Sequence, residues 1–146
     1  MSPVIELTEA QKVVLLQPND LPKVWPQLAP LVTKACEWSQ GQFNAEAVVD
    51  GVLNGSYQLL AYVDGKDVVS IAVLTISQFP TGLRICEVLL ASGEGMHDWQ
   101  KFEGQVAAYA KQHGCAKFRM IGREGLQRML KSWKRVAVVL EKDFEA

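Results

Sequence analysis

The chain is short of most of the residues from which familiar chemical sites are built. Its three cysteines, Cys36, Cys86 and Cys115, stand far apart and form no CxxC pair. Neither a disulfide framework nor a thiol redox motif is expected, and the three read as buried free thiols. Two histidines, His97 and His113, are too few to assemble a zinc cluster at familiar spacing. A Walker loop and a Gly-x-Ser-x-Gly elbow are both lacking, which removes the commonest phosphate cradle and the serine-hydrolase turn. No apolar run reaches the ~18 residues of a membrane-spanning helix, and Met1–Leu7 lacks the basic start and apolar stretch of a secretory signal. The formal net charge of −1 gives no general affinity for nucleic acid or an anionic membrane. A cytosolic protein is the expectation.

Apolar residues are what the chain does have. At 49% of 146 residues they suffice for one core, and a single domain over residues 1–146 is expected. Val13–Gln17 reads as a short strand, and Pro18-Asn19-Asp20 as its end and the cap of a helix. Leu21, Val24, Trp25, Leu28, Leu31, Val32, Ala35 and Cys36 recur with helical spacing. Pro26 and Pro30 each remove an internal hydrogen bond, so a bend or two short pieces are expected there. Asn44 suits the cap of a second helix, which Asn54-Gly55 stops.

The middle third reads as an antiparallel meander. Tyr57–Val63 and Val68–Gln78 flank an Asp64-Gly65 turn, and Leu83–Ala91 follows Pro80-Thr81-Gly82. The period then changes. Trp99, Phe102, Val106, Tyr109, Ala110 and His113 share a helical face, closed by Gly114. Lys117–Ile121 is a strand, Gly122-Arg123 opens a helix running to Trp133, and Val136–Leu140 is a last strand. The order is β-α-α-β-β-β-α-β-α-β. A helix linking two strands implies a right-handed crossover and a parallel pair, so the sheet is mixed and mostly antiparallel.

This order resembles the GNAT (N-acetyltransferase-like) fold: α/β, with three layers about a central mixed sheet. Trp25-Pro26-Gln27-Leu28-Ala29-Pro30-Leu31, Gly114-Cys115-Ala116, Gly122-Arg123-Glu124-Gly125 and Val138-Val139-Leu140-Glu141-Lys142 are similar to segments of small GNAT-like proteins of tailed bacteriophages and prophages. The resemblance implies a loop after the fourth strand, of pattern Arg/Gln-x-x-Gly-x-Gly/Ala, whose backbone N–H groups hold the pyrophosphate of acetyl-CoA. Here that stretch runs from Leu90 to Trp99, and the implied cofactor contacts are Leu89, Ser92, Gly93, Glu94, Gly95, Met96 and His97. A helix N-terminus with glycines before it forms an anion site. Ser92 replaces the usual basic or amide residue, Glu94 adds negative charge, and Asp98 competes for the same amides as a cap. The competing reading of Gly93 and Gly95 is a plain strand-to-helix turn.

For catalysis, the resemblance implies a carboxylate base on the fourth strand, and Glu87 is the candidate. By alternation Leu83, Ile85, Glu87 and Leu89 share one face, which would set the carboxylate among apolar neighbours. The alternative is pairing with Arg84, Arg119 or Lys117. The tyrosine acid of the family has no counterpart in Met129-Leu130-Lys131-Ser132-Trp133. His97 and His113 read as surface and packing residues. Arg123, Arg128, Lys131, Lys134 and Arg135 form a late basic cluster. The four tryptophans read as core, with Trp38, near a helix end, the alternative candidate for anchoring a partner.

Two readings follow. One is an acetyl-CoA-dependent acyltransferase acting on an amine, with a degraded active site, in the cytoplasm of a bacterial host. The other is a non-catalytic GNAT-shaped component of a phage virion or its assembly, whose partners are phage structural proteins or further copies of the chain. Neither calls for nucleic acid, membrane or metal.

Overall fold

The computed structural model describes residues 11–93, 99–122 and 130–145. Strand β1 (Gln11–Leu16) leads through a 3₁₀ turn at Pro18–Asp20 into helix α1 (Leu21–Glu37). Helix α2 (Ala45–Leu53) follows, then strands β2 (Gln58–Asp64), β3 (Asp67–Gln78) and β4 (Arg84–Gly93). Helix α3 (Trp99–Gln112) crosses to strand β5 (Lys117–Met120). The sheet order is β1-β2-β3-β4-β5, antiparallel throughout except for the parallel β4–β5 pair. The mixed, mostly antiparallel sheet expected from the sequence is thus present.

Each face of the sheet is covered, giving three layers. On one side Leu28, Val32 and Ala35 of α1 and Val48 and Val52 of α2 pack on Leu59, Ala61, Ile71, Val73 and Leu90. On the other, Val106 and Ala110 of α3 join Cys115 and Leu130 over Leu60, Tyr62, Ala72, Leu74, Cys86 and Val88. Strand alternation sends successive residues to opposite faces, so a strand buried on both sides reads as a near-continuous apolar run. β3 shows this directly, with Ile71, Ala72, Val73 and Leu74 all at most 1% exposed.

Helix α1 is continuous from Leu21 to Glu37 despite Pro26 and Pro30, so the expected break does not occur. Pro22, Pro26 and Pro30 repeat every four residues on the exposed face. The carbonyls left without a donor therefore face water, and the buried Leu21, Leu28, Val32 and Ala35 stripe is untouched. Asp20 is not the side-chain cap of α1; its carboxylate accepts from the Gln17 N–H at 2.9 Å and closes the preceding turn. Asn44 caps α2 as expected, its Oδ1 accepting from the Ala47 N–H at 2.8 Å. Gly114, at φ +77°, ends α3, and the Cys115 N–H reaches back to the Ala110 carbonyl at 3.0 Å.

The strand expected at Val136–Leu140 is not formed. Residues 134–145 carry no regular structure and are exposed throughout. Strand propensity expresses a fit to a half-buried, hydrogen-bonded surface, and this segment pairs with no strand among the described residues. The helix expected from Gly122 to Trp133 falls mostly outside the described residues. Of its end, Leu130 is buried and Trp133 stacks on Phe118 at 5.4 Å. No helix among the described residues is long and apolar enough to cross a membrane.

Candidate active site

The end of the β4–β5 ladder sets the geometry. Ile85 pairs with Lys117, Cys86 with Phe118, Glu87 with Arg119 and Val88 with Met120, where β5 stops. β4 continues to Gly93. From Leu89 onward the backbone groups of β4 on the β5 side have no strand opposite them among the described residues. A bulge falls at the same place: Val88 pairs with Leu74 but Leu90 with Val73, leaving Leu89 as the extra residue. Before the bulge Cys86 and Val88 face α3; after it Leu90 faces α1 and α2.

Glu87 stands one residue before this point. Its side-chain partners are polar, Ser77 and Arg119; Leu89 keeps the same face, where it packs on the α1–α2 cluster, and Leu83 lies before the strand. The Arg119 guanidinium forms an ion pair with Glu87 Oε1, and the Ser77 hydroxyl donates to the same oxygen at 3.1 Å. The open alternatives at this residue thus resolve to Arg119. Arg84 turns instead to the Gln78 side chain and the His113 carbonyl. Arg119 also lies over the Phe79 ring, 5.6 Å from its centre, a cation–π contact that fixes the guanidinium from the other side. Both bonds to Glu87 fall on Oε1, and Oε2 has no partner among the described residues.

Ser77 and Phe79 went unnoticed in the sequence. The hairpin register holds the signal: with Gln78 opposite Arg84, Ser77 falls on the Glu87 side of the sheet, two pairs from Thr75–Glu87. Counting back from the Pro80-Thr81-Gly82 turn would have found it.

Of the implied cofactor residues, Leu89, Ser92 and Gly93 lie on the unpaired end of β4, whereas Glu94, Gly95, Met96 and His97 fall outside the described residues. A side chain at Gly93 would place its Cβ 2.1 Å from the Ser70 Cβ, so its glycine is explained by the approach of β3. The Ser92 hydroxyl is buried and has no hydrogen-bond partner among the described residues, a group that a polar ligand would satisfy. An unpaired strand edge beside an orphaned hydroxyl fits an extended, amide-bearing molecule such as the pantetheine arm of coenzyme A.

The remaining sequence candidates are placed without a shared site. His113 is exposed, its ring 4.5 Å from that of Tyr109. Lys131, Lys134 and Arg135 are exposed, and Arg123 and Arg128 fall outside the described residues. Trp25 packs on the α1 core and Trp38 is exposed. The cysteines are free, Cys86 and Cys115 buried and Cys36 half-buried. Burial, with repulsion from Cys115 and Glu87, pushes the Cys86 thiol up to about 12. No group of three or more His, Cys, Asp or Glu that could hold a metal ion occurs among the described residues.

The sequence matches no protein-family model and no curated protein. Solved structures do match, over nearly the whole chain. One is an aminoglycoside acetyltransferase from an uncultured soil metagenomic sample, crystallised with trehalose, at TM-score 0.69 and 13% identity, covering 96% of this chain and 100% of that one. A GNAT family acetyltransferase of Staphylococcus aureus gives 0.67 and 12%, covering 92% and 99%. A predicted acetyltransferase of Clostridium acetobutylicum, solved with acetyl-CoA, gives 0.62 and 12%, covering 91% and 96%. The chain has the fold of the GNAT acetyltransferases.

Proposed function

We propose that the chain is a GNAT-type acyltransferase that takes an acetyl group from acetyl-CoA and passes it to an amine. One observation carries this reading: β4 outruns β5 beside a half-buried carboxylate. The free edge at Leu89–Gly93 would hold the cofactor by backbone hydrogen bonds, with Ser92 supplying its orphaned hydroxyl and residues 94–97 meeting the phosphates. When bound, acetyl-CoA supplies the activated acyl group.

In this reading Glu87 is the base. Arg119 and Ser77 fix Oε1, and Oε2 accepts the proton of the incoming amine, directly or through one water. The register of β4 thereby aims a carboxylate whose rotation is restrained on one oxygen, which reduces the ordering needed at the moment of reaction. No phenol is available in Met129–Trp133, and the proton for the leaving sulfur comes from water.

One feature favours the rival reading, a non-catalytic GNAT-shaped component of a phage particle or its assembly. Ser92 and Glu94 replace neutral-to-basic character where phosphates would lie, and a carboxylate near a helix start opposes an anion. Calorimetric titration with acetyl-CoA separates the two. The acyltransferase reading expects micromolar binding, and an acetylation rate that Glu87→Gln lowers at least tenfold without weakening the cofactor. Absence of binding at millimolar acetyl-CoA would sink it.

A further inference from the structure

The ion pair between Glu87 and Arg119 leaves part of each partner unused. On Glu87, Oε1 is engaged by Arg119 and Ser77, and Oε2 has no partner among the described residues. On Arg119, Nη2 is engaged, while Nε and Nη1 have no hydrogen-bond partner among the described residues. The guanidinium is held in place by the Phe79 ring, 5.6 Å from its centre. Its side chain is 45% exposed, so these donors are open to a molecule arriving from water. The hydroxyl of Thr75, which lies opposite Glu87, is already given to the Ser56 carbonyl at 3.1 Å. The unengaged charged atoms here are thus one carboxylate oxygen and one edge of a guanidinium.

That edge is a whole one. Nη2 bears two hydrogens, one for each two-pronged edge it belongs to, and whichever Glu87 takes, the other edge keeps both prongs. The intact edge includes Nη2 itself, the atom in contact with Oε1, and Oε2 shares a carbon with Oε1. The two free positions are therefore only a few ångströms apart. An α-amino acid presents the complementary pair, because its nitrogen and nearer carboxylate oxygen are separated by three bonds, about 3 Å. Its amine meets Oε2 while its carboxylate meets the guanidinium fork, the geometry in which arginine binds carboxylates most strongly. The charge on this face agrees. By alternation Lys117 shares the face of Arg119 and is exposed, and β4 and β5 carry no carboxylate besides Glu87. Two cations against one carboxylate favour an incoming anion and disfavour an acceptor with several positive charges.

We infer that the acceptor is an α-amino acid, held by its carboxylate on Arg119 with its amine at Glu87 Oε2. The assignment rests on the acyltransferase reading above and narrows its acceptor from any amine to a zwitterion. In the transfer the neutral amine nitrogen bonds to the acetyl carbon as the carbon–sulfur bond of acetyl-CoA breaks. The nitrogen gives one proton to Glu87, which passes it to water, and the departing sulfur takes one from water. The products are an N-acetylamino acid and the free thiol of coenzyme A.

Arginine side-chain NMR tests the contact without cofactor or turnover. The Arg119 Nε–H signal, assigned by its loss in Arg119→Lys, is followed while each of the twenty protein amino acids is added singly to 20 mM. At least one is expected to move it saturably, with a Kd at least tenfold below those of its amide and its decarboxylated amine. Because Arg119 is half exposed, Arg119→Met is expected to fold. Followed on the Glu87 and Ser77 amides, that variant should bind the three compounds within threefold of one another, and Arg119→Lys should restore part of the preference. With acetyl-CoA present, kcat/KM should follow the same order. No saturable shift with any of the twenty overturns the assignment. So does equal affinity for the amide, or a preference that survives Arg119→Met. Failure of this contact and failure of acetyl transfer are distinguishable. Acetylation of carboxylate-free amines at the same kcat/KM overturns the amino acid and leaves the acyltransferase. Amino-acid binding by a chain that takes up no acetyl-CoA overturns the transfer and supports the contact.

Discussion

Gly93 and Ser70 oppose each other across the β3–β4 ladder so closely that a Cβ on Gly93 would stand 2.1 Å from that of Ser70 and 2.9 Å from its Cα. Such a separation cannot be met by a side-chain rotation alone. Gly93→Ala is expected to lower unfolding free energy by at least about 2 kcal/mol, measured by urea denaturation. Ser70→Gly in the same chain should restore part of the loss and not all, since the Ser70 Cα remains in the way.

Asn44 makes a second local commitment. Its side chain satisfies one of the otherwise unpaired N–H groups at the start of α2. Asn44→Ala should cost about 1 kcal/mol, and Asn44→Asp close to nothing. Thermal and urea unfolding of the two variants give the comparison.

Alkaline pH should destabilise the fold through the thiol under α3. An exposed thiol titrates near 9.0, and that of Cys86 is pushed up to about 12 by burial, with Cys115 and Glu87 adding repulsion. Below pH 9 both states keep the proton and the contribution is complete. Between pH 9 and 12 the unfolded chain releases it while the folded chain retains it, so stability falls by at most about 1.4 kcal/mol per pH unit. The Tyr109 phenol, also raised by burial, acts in the same direction. Cys86→Ala should lower stability at pH 7 through the lost contacts, yet flatten the decline between pH 9 and 11.

The Glu87–Arg119 pair is half exposed on the arginine side, at 45%, so its direct worth to the fold is small. Arg119→Met is expected to cost under about 1 kcal/mol, with a double-mutant cycle against Glu87→Gln giving a coupling of a few tenths. A coupling above about 2 kcal/mol would mean that the pair is shielded from water to an extent its exposure contradicts.

Much of this arrangement was legible in the chain. The helical stripe of α1, the Asn44 cap, the two hairpins and the Gly114 stop are local signals, and each appears where its residues stand. The parallel β4–β5 step followed from the helix between them. What the sequence concealed was non-local. Nothing in Val88-Leu89-Leu90 announces a bulge, because all three side chains are apolar and fit either face. The polar surroundings of Glu87 depend on Ser77, brought near by hairpin register, and on Arg119, brought near by a crossover. Proline positions misled for a different reason: their cost depends on whether the orphaned carbonyls meet water, which only the packing of α1 decides. Val136–Leu140 has the composition of a strand, but a strand is a relation between two segments.

The extra residue at Leu89 divides β4 into two lengths that obey opposite parity. Up to Val88 the even-numbered side chains serve the α3 layer; beyond it Leu90 serves α1 and α2. The half that bears Glu87 and the half that bears Ser92 and Gly93 are therefore independent in what each face can carry. Substitution in the first half can retune the polar cluster without disturbing the second half's grip on β3. Deleting Leu89 would make the strand regular, with Val88 still opposite Leu74, Leu90 still opposite Val73 and each on its present face. The strand behaves as two modules joined by a residue that the register of neither requires.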